Sequence, residues 1–81
     1  MPTSVKADQT AWHDQNPLRK WRKKQGMSIM ATASQLRVSM TIVQLWENGV
    51  HTPSPENMSK ITDLCGASVE RAWKTWLKAR P

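Results

Sequence analysis

Two helix-length segments separated by three residues constrain this fold more than any other feature. "SIMATASQL" (28–36) and "MTIVQLWE" (40–47) flank "RVS" (37–39). Ser28 and Ser39 open them, each with an oxygen able to accept from the free amides of a first helical turn. Ala33 and Leu36 point inward from the first segment. Val43 and Trp46, three residues apart, share one side of the second and turn toward them. Val38 leads into the second segment. Helices joined so briefly cross at a steep angle, with these apolar residues between them.

Three further helices are predicted around this pair. "NPLRKWRKKQG" starts with Asn16 as cap and Pro17 at the first helical position, where a missing N–H costs nothing. Leu18, Trp21 and Arg22 share a face, and Gly26 supplies the left-handed stop. "PENMSKITDLCG" is capped by Ser54, carries Met58, Ile61, Leu64 and Cys65 as its apolar stripe, and stops at Gly66. "SVERAWKTWLKAR" places Val69, Ala72, Trp73, Trp76 and Leu77 at three- and four-residue spacing. Trp73, Trp76 and Leu77 either close the core or form a dimer face; in a combined arrangement Trp73 points inward and Trp76 outward. Residues 1–15 are polar and aperiodic and are expected to be a mobile tail, leaving 16–81 as the domain. Nothing in the sequence decides whether Trp12 docks on it. No strand alternation occurs, so the expected class is all-α with five short helices.

At 81 residues the chain is the size of one domain with a modest core. Tryptophan supplies all its aromatic packing, with five Trp and neither Phe nor Tyr. Twelve Lys and Arg against six acids give a formal charge of +6. That balance favours a polyanionic partner, although solubility alone would also explain it. The single cysteine, Cys65, excludes an internal disulfide and fits a reducing cytoplasm. No apolar run is long enough to span a membrane, and the opening residues lack a secretory apolar stretch. His13, His51 and Cys65 are too scattered for a triad or a metal site, and no glycine-rich phosphate loop occurs. Neither an enzyme, a cofactor nor a bound metal is expected.

The outward positions of 40–47 are Met40, Thr41, Gln44 and Leu45, and none is charged. Helices crossing steeply across a short turn make the helix-turn-helix geometry, in which the second helix protrudes and fits a DNA major groove. Base edges are read by hydrogen bonds and methyl contacts rather than by bulk charge, so such a helix can be neutral. Gln44 suits adenine N6 and N7. Met40 and Leu45 suit thymine methyls, and Thr41 does either job, so the expected site leans toward A·T pairs. The same face also fits a plain solvated helix or an apolar contact with another protein, to which the neighbouring Ile29 and Met30 would add.

"WRKKQGMSIMATASQLRVSMTIVQLWENGVHTPSPENMSKI" resembles the Cro- and phage-repressor-type (XRE-like) helix-turn-helix domain, over roughly residues 17–66. The marks are "WENG" followed by "PSPENM", the frame Ala33/Val38/Val43/Trp46, and Arg22 upstream of Glu47. The resemblance implies a compact five-helix lambda-repressor-like domain. It implies a transcriptional regulator, of the repressor type, that binds double-stranded operator DNA as a homodimer on a near-palindromic site. It places Met40, Thr41 and Leu45 at base-contacting positions, Asn48 and the following loop at phosphates, and pairs Arg22 with Glu47. Arg37, Ser39, His51, Thr52, Lys23 and Lys24 complete the expected phosphate set, on charge and position. Ile29 stands where the family has a glutamine, Arg37 where it favours glycine, and Thr32 where a core leucine is usual. The Thr32 hydroxyl is expected to bond back along its helix, with Met30 filling the space. The rival class is a protein-interaction module on the same fold, such as an antitoxin or assembly factor.

Overall fold

A computed structural model describes residues 9–81, and over them the chain is all-helical. Residues 9–14 form α1 within the described span; α2 is Pro17–Lys24, α3 Ile29–Leu36, α4 Met40–Glu47, α5 Pro55–Cys65 and α6 Val69–Lys78. Five of these are the helices the sequence predicts, and the all-α class holds. The sixth, α1, lies in the stretch expected to be a mobile tail, of which residues 1–8 fall outside the described residues.

The helix starts are set by side-chain caps. Asn16 Oδ1 accepts the Arg19 amide at 3.0 Å, and Pro17 follows as first helical residue. The hydroxyls of Ser28, Ser39 and Ser54 accept from the amides of Ala31, Ile42 and Asn57 at 3.0, 3.1 and 3.2 Å. Each satisfies one orphan donor of its first turn, an interaction generally worth about 1 kcal/mol. Ser68 before α6 makes no such bond.

Three consecutive helices end alike. At the close of α2, Gly26 N–H bonds Lys23 C=O and Met27 N–H bonds Arg22 C=O. At α4, Gly49 bonds Trp46 and Val50 bonds Leu45. At α3, Arg37 bonds Ser34 and Val38 bonds Ala33. This paired pattern places one residue in the left-handed region. Gly26 and Gly49 adopt it with φ of 69° and 73°; in α3 the residue is Arg37, at φ 57°, ψ 46°.

Leu18 of α2, Ala33 and Leu36 of α3, Val43 and Trp46 of α4, Met58 and Ile61 of α5, and Val69, Trp73 and Trp76 of α6 are buried together. Trp12 of α1 joins them. Of the alternatives open for Trp76, the structure takes the core: it is 4% exposed, because the Trp12 indole lies on it in a parallel stack, centroids 4.0 Å apart. Trp73 meets Trp76 edge-on at 6.0 Å. A dimer face made of Trp73 and Trp76 is not available on this surface, and only Leu77 of that trio is half-exposed. Thr32 also departs from expectation. Its neighbour Ser28 carbonyl is taken by the Thr32 backbone amide at 3.0 Å, and the buried hydroxyl has no partner among the described residues. Met30 does not fill the space, being 63% exposed.

Candidate nucleic-acid interface

Helix α4 has two unlike sides. Val43, Trp46 and Glu47 are buried, Ile42 and Leu45 half-buried, and Met40, Thr41 and Gln44 exposed. The helix turns its apolar side into α3 and the core because Val43 and Trp46 fall one turn apart. What is left outward carries an amide, a hydroxyl and a thioether, and no charge. Leu45, expected fully outward, lies at the edge of this face. Its carbonyl accepts from the amides of Val50 and His51 at 3.0 and 3.3 Å, which curls the exit loop back on the helix.

The exit of α4 is anchored by a buried ion cluster. Arg22 grips Glu47 with two bonds, Nε to Oε2 at 2.9 Å and Nη2 to Oε1 at 3.0 Å. Arg19 adds a third, Nε to Oε1 at 3.0 Å. The Glu47 side chain is 0% exposed, and those of Arg19 and Arg22 are 18% and 11% exposed. A carboxylate taken out of water is costly unless its oxygens are satisfied, and here both are, by charge-assisted donors. The cluster reaches further: Arg22 Nη1 donates to Met27 C=O at 3.2 Å, and Arg19 Nη2 to Asn48 Oδ1 at 3.1 Å. Asp14 lies 3.5 Å from Arg19 Nη1. Asn16 Nδ2 donates to Trp46 C=O at 3.4 Å. The start of α2 is thus tied to the end of α4 at residues 46, 47 and 48.

Arg19, which the sequence pairs with nothing and leaves for DNA or solvent, is held inside by Glu47. The signal was available: Arg19 and Arg22 are three apart and so share a helix face. Asn48 of the expected phosphate set accepts from Arg19 through its oxygen and keeps its NH₂ donors. Ser39 has its oxygen engaged in capping α4. Arg37 and Ser39 before α4, and His51 and Thr52 after it, are exposed and bracket the uncharged face. Lys23 and Lys24 are exposed on the last turn of α2, with Lys23 Nζ 4.0 Å from Asp14. Among the described residues no group of His, Cys, Asp and Glu could hold a metal ion, and no helix is long and apolar enough to cross a membrane.

Two crossing helices, a three-residue turn and a neutral face on the second make one recurrent arrangement, and the helix-turn-helix family model matches residues 18–71. The chain belongs to the Cro/C1-type helix-turn-helix family. No curated protein and no solved structure matches it significantly. This helix-turn-helix chain is a DNA-binding protein of a regulatory kind, from a family not typically enzymatic. In it α3 and α4 are the paired helices, Arg37 fills the turn, and α1 and most of α6 lie outside the matched span.

Proposed function

We propose that this protein is a sequence-specific transcriptional regulator, of the repressor type, that reads the major groove with α4. The observation that carries the reading is the uncharged exposed face of Met40, Thr41 and Gln44, bracketed by exposed Arg37, Ser39, His51 and Thr52. Polar and methyl-bearing side chains at the centre suit base edges, and donors at both margins suit phosphates. Gln44 pairs with an adenine. Met40, Thr41 and the flank of Leu45 lie against thymine methyls. Lys23, Lys24 and the Asn48 amide add phosphate contacts. The net charge of +6 supports the polyanionic partner. The protein acts as a homodimer on a near-palindromic site, with a contact surface other than the buried Trp73 and Trp76. Half-sites then lie about 34 Å apart, one turn of DNA.

One observation favours a second reading. Met30 and Met40 are 63% and 42% exposed, and thioethers suit an adaptable protein contact. Fluorescence-anisotropy titration of a labelled duplex across a salt series decides between the two. Arg37, Lys23 and Lys24 of two subunits make six cationic phosphate contacts, which predict a log–log slope near −5, at roughly −0.9 per contact. No duplex binding even at low salt would sink the DNA reading and leave the protein-contact module standing.

A further inference from the structure

We propose that Trp12, held by Trp76 and Arg80, is a positioning residue for the loop that leaves α4. The proposal deepens the DNA-reading assignment and rests on it for its functional consequence. None of Trp12, Trp76 and Arg80 lies in the family-matched span, so the family assignment does not account for them.

The loop turns at Gly49, which has φ +73° and passes the chain back so that Val50 and His51 donate to Leu45 C=O. Two elements remote in sequence hold that residue. The Trp12 ring is pressed so closely on the Gly49 Cα that a Cβ there would overlap it, and the Trp76 ring lies just beyond, 3.2 Å from the same point. Arg80 Nη2 donates to Gly49 C=O at 3.1 Å, and its guanidinium sits 5.0 Å over the Trp12 ring centroid.

The two indoles fix each other's orientation. Trp12 Nε1–H donates to Trp76 C=O at 2.7 Å, and Trp76 Nε1–H donates to Trp12 C=O at 2.6 Å. Their planes are 3° from parallel. A buried indole N–H usually finds an acceptor, but burial alone does not call for a reciprocal pair of such bonds, a parallel stack and a cation over the ring. Reciprocal donors, a stack and a cation over the ring allow one seat for Trp12, and that seat sets where the Gly49 backbone can lie. Val50, His51 and Thr52 follow Gly49 directly and are exposed. The clasp therefore fixes where the loop expected at phosphate stands relative to α4.

Trp12→Phe tests this in the full chain, because phenylalanine keeps an aromatic ring but cannot donate to Trp76 C=O. The first readout is amide exchange in the free protein. The Val50 and His51 amides should exchange about three- to tenfold faster, while the Ile61 amide in α5 is unchanged. The second is the ratio of affinities for the best site selected from a random duplex pool and for random-sequence duplex at the same salt. That ratio should fall by a similar factor, with the random-duplex affinity unaltered since no cation is lost. Trp12→Ala should show both effects more strongly; should it fail to fold, Trp12→Phe alone decides. Equal acceleration of all amides, or unchanged Val50 and His51 exchange, overturns the proposal by reducing Trp12 to packing. Should the wild-type protein select no site, the DNA reading fails, and the exchange experiment still decides the clasp.

Discussion

Replacing Arg37 with glycine should make the protein more stable and its DNA binding less salt-sensitive. Arg37 occupies the left-handed position that ends α3, at φ 57°, ψ 46°. An L side chain pays about 1–2 kcal/mol there. Glycine removes that cost but widens the unfolded ensemble, which returns about 0.4–1 kcal/mol. The Arg37 side chain is exposed and makes no hydrogen bond or ion pair with another described residue, so no further contact is lost. The net expectation is a gain of about 0.5–1 kcal/mol. For a domain of this size that raises the midpoint of thermal unfolding by about 2–8 °C. If Arg37 contacts a phosphate, the same variant loses one contact in each subunit of the proposed homodimer, and the log–log salt slope should become shallower by about 1.8. Arg37→Ala separates the two effects: it keeps the backbone cost, loses the charge, and should shift the slope without raising stability. A glycine variant no more stable than the wild type would refute the strain argument, and an unchanged slope in both variants would refute the phosphate contact.

Glu47→Gln should cost about 3 kcal/mol of unfolding free energy in urea titrations, since it leaves the partly buried Arg19 and Arg22 facing a buried neutral amide; a loss under 0.5 kcal/mol would reduce the cluster to a surface-like pair. Thr32→Val should stabilise by about 1 kcal/mol at unchanged m-value, because it removes a buried hydroxyl that has no partner among the described residues. Burial pushes the Cys65 thiol up from 9.0 to about 11. Raised in the folded state, it contributes stability that is full below pH 9 and is lost as pH rises toward 11. Cys65→Ala should remove that part of the alkaline decline, and alkylation of the folded wild-type thiol should stay slow at pH 8.

What the sequence made legible was local. Asn16, Ser28, Ser39 and Ser54 announce helix starts because a cap acts within three residues. The turn at 37–39 is readable because its length alone restricts the crossing. What escaped was non-local or competitive. Trp12 sits in a polar stretch with no periodicity, and its partner lies 64 residues away, so no window of sequence connects them. Without it Trp76 stays open between core and dimer face, since the ring stacked on its face is that of Trp12. Arg19 was left for DNA or solvent because one carboxylate was assigned one arginine, whereas Glu47 has two oxygens and accepts three bonds. Thr32 was expected to find a carbonyl, but its buried hydroxyl has no partner among the described residues, and nothing in the structure explains why.

Parallel selections from a random duplex pool, with the wild-type protein and with Gln44→Ala, bear most directly on α4 as the reader of base pairs. The account predicts an A·T-leaning wild-type consensus, with relaxed preference at one adenine position in the variant and the rest retained. No enrichment with the wild-type protein, or an identical consensus from both, would contradict it.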